Sequence, residues 1–410
     1  MDHVPVIVVA VVLAALAFDF TNGFHDTANA MATSIATHAL RPRVAVLISA
    51  VLNVAGAFVS TEVAKTISDG IVDDVKVTPA IIFAGLVGAI LWNLTTWLVG
   101  LPSSSTHALF GGLIGAIWVG AGASAINFTQ VFQKIIIPAG AAPLVAGVAA
   151  MVAAFVAYRI THRARKATVT RGFRLGQVVS ASLVSLAHGT NDAQKTMGAI
   201  TLTLISAGLL SRGAGPPLWV IISAGLAIGL GTYLGGWRII RTMGKGLTDI
   251  QAPQGFTAET SSATVILTSA HFGFALSTTQ VCSGAIIGTG IGKAAKVRWS
   301  TAGHMATAWL ITLPAAGAAG AVAAVAVTYG GTFGIVLAAA AALVVAARIV
   351  AVSRRNPVTA QNVNDSERVV IHQMRRRPPA ASAAKAAASG DGGARPGEGG
   401  RDGEERGDEG

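Results

Sequence analysis

Six stretches of this chain, 44–62, 79–100, 135–158, 217–237, 305–328 and 331–350, stay apolar for about the twenty residues that carry a helix across ~30 Å of hydrocarbon. Five less regular apolar stretches, 4–38, 102–121, 176–210, 259–275 and 277–292, are interrupted by polar residues. This pattern restricts the chain to a helical bundle in a bilayer, where each helix satisfies its own backbone while apolar side chains face lipid. Charged residues make up only 12% of the chain, against roughly 25% in soluble proteins, and the mean hydropathy is +0.61. A soluble enzyme and a mostly disordered chain are excluded on that ground. A disulfide scaffold is excluded because Cys282 is the only cysteine.

The net charge of +11 does not point to nucleic acid. The Lys and Arg sit between apolar runs, at Arg41 and Arg43, Arg159 to Arg174, Arg238 to Lys245, and Lys293 to Arg298. They form no stripe interleaved with aromatic rings. Read with the positive-inside rule, the short basic linker 159–175 lies in the cytoplasm, and Asp69, Asp73 and Asp74 mark an external loop. The stretch 4–18 resembles a signal-peptide core, but the residues before it include Asp2 and no Lys or Arg, so it reads as a retained first helix. From about 354 onward the chain turns to Arg375-Arg-Arg-Pro-Pro, an Ala/Lys run and a Gly/Glu/Arg/Asp run, a composition that predicts a disordered tail.

An internal repeat organises the rest. Gly23-Phe-His-Asp-Thr-Ala-Asn29 corresponds to Gly189-Thr-Asn-Asp-Ala-Gln-Lys195 at an offset of 166. Ser104-Ser-Thr-His-Ala-Leu-Phe-Gly-Gly-Leu-Ile-Gly115 corresponds to Ser277-Thr-Thr-Gln-Val-Cys-Ser-Gly-Ala-Ile-Ile-Gly288 at an offset of 173. Two motif pairs in one order divide the chain into related halves, 1–158 and 176–350, followed by a tail at 351–410. Paired halves of this kind are characteristic of secondary transporters, whose site lies between the repeats on discontinuous helices. All four motif segments fit that description.

Asp26 and Asp192 lie inside otherwise apolar segments, where a charge costs about 2.5–3.5 kcal/mol on insertion scales and is normally functional or paired. One reading is a structural contact, such as Asp26 with Asn191. Their recurrence in the repeat favours the other, cation coordination or proton carriage. Asp19 has no such recurrence, since Ser185 stands at its equivalent. Asn22, Asn29, Asn191, His25, His188, Gln194 and Lys195 flank the two acids. Asn can ligate a cation through its carbonyl or donate to an oxyanion through its amide. Lys195 can attract an anion directly or pair with Asp192. His25 can carry a proton or stay neutral in a hydrogen bond.

The hydroxyl clusters Pro102-Ser-Ser-Ser-Thr106 and Ser277-Thr-Thr279 each precede a Gly-rich apolar run. A helix that restarts there inside the membrane directs free N–H groups and a positive dipole end at the break. Helix capping explains one such cluster, whereas a matched pair makes a cradle for an oxyanion from Ser104, Ser105, Thr106, Ser277, Thr278 and Thr279. Two carboxylates beside a dianion would repel it, so a cation or protons must enter with it. The chain has no Walker loop, no Cys/His metal spacing and no GxSxG elbow. An enzyme, a bound cofactor and a resident metal are therefore not expected. A channel is disfavoured because the polar residues sit in interrupted helices rather than in rings.

These residues resemble the inorganic phosphate transporter (PiT) family. Asn22-Gly-Phe-His-Asp-Thr-Ala-Asn-Ala30 looks like its first signature and His188-Gly-Thr-Asn-Asp-Ala-Gln-Lys195 like its second, and both hydroxyl hairpins are similar to family elements. The resemblance implies an all-α polytopic membrane protein of two inverted-topology repeats with re-entrant hairpins. Carried over, Asn29, Asn191, Lys195 and the hydroxyl clusters hold phosphate, while Asp26, Asp192, His25 and Asn22 serve the coupling ion, H⁺ or Na⁺. His25 stands where many members have Asn, a form that looks like the bacterial low-affinity branch. That branch implies proton coupling and acceptance of neutral divalent-metal–phosphate complexes. The resemblance covers sulfate permeases too, so sulfate is the alternative substrate and an anion channel the alternative class. The short linker departs from members with a large central cytoplasmic domain. The expected setting is the bacterial cytoplasmic membrane, with lipid as the surrounding partner, no nucleic acid, and a homodimer as one assembly open to the chain.

Overall fold

The computed structural model describes residues 5–69 and 76–365. These residues are helical throughout, with short connections. The elements are α1 (Val6–Ala36), α2 (Pro42–Gly56), α3 (Glu62–Asp69), α4 (Pro79–Val99), α5 (Ser105–Gly120), α6 (Phe128–Val131), α7 (Ile137–Thr161), α8 (Lys166–Ser206), α9 (Leu218–Leu234), α10 (Trp237–Lys245), α11 (Ala252–His271), α12 (Thr278–Gly292) and α13 (Trp299–Ser353). By length and apolar composition, Val6–Ala36, Pro79–Val99, Phe128–Thr161 and Trp299–Ser353 can each cross a membrane, and the pair α9–α10, bent by 69°, makes a fifth.

The sequence expectations meet this fold with several differences. The run 44–62 yields only the 15 residues of α2, because the chain leaves the helix at Gly56 before α3 restarts. The run 217–237 breaks at Gly235, whose φ of 73° ends α9 before α10 turns away. The boundary expected between 328 and 331 is a kink within α13, at Gly331 with φ 49°. The two signature segments lie on unbroken helices, α1 with 31 residues and α8 with 41, and not on discontinuous ones. Their polar side chains bond to neighbouring helices, so the backbone needs no interruption to accommodate them. The basic linker is largely helical as well, since α7 runs to Thr161 and α8 starts at Lys166.

Packing follows the repeat reciprocally. Gly23 of α1 lies against α9 so closely that a Cβ would stand 2.3 Å from the Ile228 carbonyl oxygen. Its equivalent Gly189 of α8 lies against α2, where a Cβ would stand 2.3 Å from the Asn53 carbonyl oxygen. The hairpins behave alike. Gly111 of α5 abuts the Leu313 carbonyl of α13, and its equivalent Gly284 of α12 abuts the Pro143 carbonyl of α7, at 2.3 and 2.4 Å by the same measure. Each half thus packs its motif helices on the other half. Helices α1 and α8 run antiparallel: Asn22 bonds Asp192 and, fifteen residues on, Thr37 bonds Gln177.

The basic clusters collect at one end. Lys245 donates to the Ala36 carbonyl, Arg298 to the Lys245 carbonyl, and Arg241 to the Asn362 carbonyl. The start of the expected disordered tail is docked here, because Val363 is buried and Asn364 donates to the Ile35 carbonyl. Asp73, Asp74 and the remainder of the tail from 366 lie outside the described residues.

Candidate functional site

Two helix starts and two signature helices meet at the centre. Gly100, with φ 71°, caps α4, and the chain then passes Pro102 to begin α5 at the N-cap Ser104. The second hairpin turns between His271 and Thr278 and begins α12 at the N-cap Ser277. Ser104 Oγ accepts from the His107 N–H and Ser277 Oγ accepts from the Gln280 N–H. Ser104 and Ser277 therefore cap their helices, leaving the hydroxyls that follow them to face inward. Thr106 donates to the Leu276 carbonyl and so ties the two hairpin tips together.

Asp26 is the hub of the first signature. It accepts from Ser105 Oγ at 2.7 Å and Thr279 Oγ1 at 3.2 Å, one hydroxyl from each hairpin, and its other neighbour is His25 Nδ1 at 2.6 Å. The His25 Nε2 lies 3.1 Å from Thr96 Oγ1 and 3.3 Å from Ser103 Oγ. Asn29 donates to Thr278 and Thr279, both at 3.1 Å. In the second signature Asp192 forms an ion pair with Lys195 at 2.9 Å and accepts from Asn22 at 3.1 Å and Asn191 at 2.8 Å. Lys195 thus adopts the pairing role. Asn191 also donates to the Leu276 carbonyl, so it joins Asp192 to the second hairpin rather than contacting Asp26.

All thirteen residues singled out from the sequence are buried. Asp26, His188 and Asp192 each offer one ligand atom, and these atoms lie within 4.8 Å of one another. The side-chain oxygens of Asn22, Asn29 and Asn191 are buried without hydrogen-bond partners. Acceptor atoms of this kind, beside carboxylates, suit a small cation or a protonated group. Asp19 is fully buried one turn before Asn22, and neither of its oxygens is hydrogen-bonded.

The sequence reading missed several participants. Thr96 and Ser103 extend the His25 chain of hydrogen bonds, and Ser103 was visible inside the flagged hydroxyl cluster. Glu259 was also visible, as a lone acid in the apolar stretch 259–275. It is buried and accepts from Thr33, Ser34, Ser180 and Gln177, at 2.5, 2.6, 2.5 and 3.1 Å.

A helical bundle with membrane-length segments around a buried polar centre, reached from matched helix starts, is a multi-pass membrane transporter. The sequence matches the phosphate transporter family over residues 22–320, and the chain belongs to that family. It is 57% identical over 357 residues to a probable low-affinity inorganic phosphate transporter of Mycobacterium bovis, covering 86% of each chain. It is 43% identical over 326 residues to a protein of the same description from Bacillus subtilis, covering 79% of this chain and 98% of that one. A solved structure described as the sodium-dependent phosphate transporter superposes with a TM-score of 0.70 at 23% identity, over 78% of this chain and 98% of that one. The last comparison establishes a shared fold. The protein is a transporter, not an enzyme, and its setting is the bacterial cell membrane.

Proposed function

We propose that this protein imports inorganic phosphate by proton symport across the cytoplasmic membrane, through two inverted repeats that share one central site. The observation carrying the reading is the convergence of the starts of α5 and α12 on Asp26, through Ser105 and Thr279. Their first-turn N–H groups and hydroxyls are donors for a tetrahedral oxyanion, and the helix dipoles add positive potential without a fixed charge. The charge balance demands a companion. Asp26 and Asp192 contribute two negative charges, Lys195 one positive charge, and a phosphate dianion two more negative. Burying the remaining net negative charge is prohibitive unless cations or protons enter too.

The hydrogen-bonded chain from Asp26 through His25 to Thr96 and Ser103 favours protons, since an imidazole between a carboxylate and hydroxyls can relay one. The Asp26–His188–Asp192 cluster favours the second reading, in which a cation such as Na⁺, or the metal of a neutral metal–phosphate complex, is ligated there. The test is radiolabelled phosphate uptake into proteoliposomes under an imposed pH gradient or an imposed Na⁺ gradient, with excess unlabelled sulfate. Accumulation driven by the pH gradient and indifferent to sulfate is expected. Accumulation only with Na⁺ would overturn proton coupling, and abolition by sulfate would make the substrate sulfate.

The hydroxyls separate binding from capping. Ser105→Ala and Thr279→Ala each remove a hydroxyl that donates to Asp26 in this structure and turns to the anion when phosphate is bound. Each is expected to raise the apparent KM for phosphate about tenfold, the equivalent of one hydrogen bond to a charged group. Ser104→Ala removes an N-cap instead and should lower stability by about 1 kcal/mol, read as a reduced Tm. An unchanged KM in both inward-facing variants would move the cradle elsewhere.

A further inference from the structure

The basic end of the bundle contains a cavity of about 550 Å³ whose walls include His38, Tyr158, His162, Lys166, Arg174 and Lys245. It sits between the end of α1, the end of α7 and the start of α8. Arg165 supplies no side-chain cap to α8, so the first-turn N–H groups of a 41-residue helix add to the donors there. Arg174 Nε is buried without a hydrogen-bond partner. Burial, followed by the charges of Lys245 and Arg174, holds His38 below the usual imidazole range. The nearby acid Asp249 is engaged by Arg298 at 2.8 Å.

This cavity opens on a polar wedge that leads toward the central site. Thr37, in its wall, donates to Gln177, which donates to Glu259, which also accepts from Thr33, Ser34 and Ser180. The repeat supplies an internal control. At the offset of 166, Thr33 and Ser34 become Ala199 and Ile200, while Gln177, Ser180 and Arg174 become Val11, Ala14 and Val8. At the offset of 173, Glu259 becomes Leu86. Val8, Val11, Leu86, Ala199 and Ile200 are all within 1% of full burial in one apolar core cluster. One wedge is therefore polar and ends in a basic cavity, whereas in its repeat-equivalent every one of these positions except that of Thr37, which becomes Thr203, carries an aliphatic side chain. A polar lining that the other half replaces by aliphatic side chains is not required by the fold.

We propose that the basic cavity between α1, α7, α8 and α10 is a second anion site, taking an anionic phosphate group at the inner mouth of the central site. Its ligand chemistry is shared by free phosphate and by the headgroup of an anionic phospholipid. The choice of phosphate rests on the function proposed above, whereas occupancy of the cavity does not depend on transport.

Thr170 lies in the cavity wall and Cys282, the only native cysteine, is buried, so Thr170→Cys in the full-length protein places a single accessible thiol there. In phosphatidylcholine vesicles, a negatively charged thiosulfonate reagent should react about tenfold faster, relative to a positively charged one, than it does after Lys166→Gln and Arg174→Gln are added. Millimolar inorganic phosphate should slow the labelling if free phosphate is the ligand. Phosphatidylglycerol without added phosphate should slow it if the headgroup is. Absence of a charge preference, or a preference that neither phosphate nor phosphatidylglycerol suppresses, would overturn the site. A positive labelling result with no phosphate uptake would overturn the transport reading alone. Folding of the variants is checked by labelling rate in denaturant and by monodisperse gel filtration.

Discussion

Asp26→Asn is expected to reduce phosphate uptake to background while the protein still inserts and purifies normally. The substitution keeps the shape of the side chain but removes its charge. It also replaces an acceptor oxygen by a donor NH₂ among three donors: Ser105, Thr279 and His25. One of these hydrogen bonds must be lost, at about 1.5–3 kcal/mol for a bond to a charged group. The negative charge that draws in the coupling ion disappears with it, so the combined loss is at least roughly a hundredfold in rate. Asp192→Asn should abolish uptake too, but with a fall in stability, because it leaves the buried Lys195 ammonium unpaired. Breaking a buried pair costs about 3–5 kcal/mol. Uptake in proteoliposomes, read beside the Tm of each variant, separates the two cases. Concentrative uptake at the normal rate by both would remove the carboxylates from coupling.

The second large effect concerns packing. Gly189→Val is expected to prevent recovery of folded protein, since even its Cβ would stand 2.3 Å from the Asn53 carbonyl oxygen and 2.6 Å from the Asn53 Cα. These are backbone atoms of α2, which cannot swing aside as a side chain does. Overpacking costs about 1–3 kcal/mol where neighbours can give and more where they cannot. Gly172→Ala, on the same helix with nothing within 4 Å, should instead raise stability by up to about 1 kcal/mol through helix propensity. Yield and Tm in detergent measure both. A Gly189→Val protein that is as stable as the parent would contradict the close approach of α8 and α2.

Much of the centre was legible in the sequence because its chemistry is out of place there. Asp26 and Asp192 stand out against apolar neighbours, and two hydroxyl clusters recur at nearly the same offset as the acids. Continuity of the helices was not legible. Polar residues in a membrane segment suggest an interruption when read singly, yet Thr27 bonds its own helix at the Gly23 carbonyl, Asn22 and Asn29 bond side chains brought by other helices, and Asn191 donates to the neighbouring Asp192 and to the Leu276 carbonyl of the second hairpin. The partners of Asn22 and Asn29 lie about 170 to 250 residues away in sequence, as with Asn22 to Asp192 and Asn29 to Thr279. The bend between α9 and α10 was hidden for a related reason. The apolar run 217–237 reads as one span, and only the fold shows that Gly235 adopts a φ of 73°. Glu259 has no acidic counterpart in the first half, where Leu86 stands, and this is the property that marks the polar wedge.

The reciprocal packing of the hairpins sets an order of events during synthesis. Gly111 in α5 meets its partner carbonyl at Leu313, a residue made about 200 positions later. At about 5–20 residues per second, α5 waits roughly 10–40 s for the surface it is shaped to fit. Through that interval the first half is a set of inserted helices with small-residue faces still open to lipid. Completion comes as a late event, when α12 closes on α7 and α13 closes on α5. Separately expressed halves should therefore each be short-lived in the cell and mutually protective when made together.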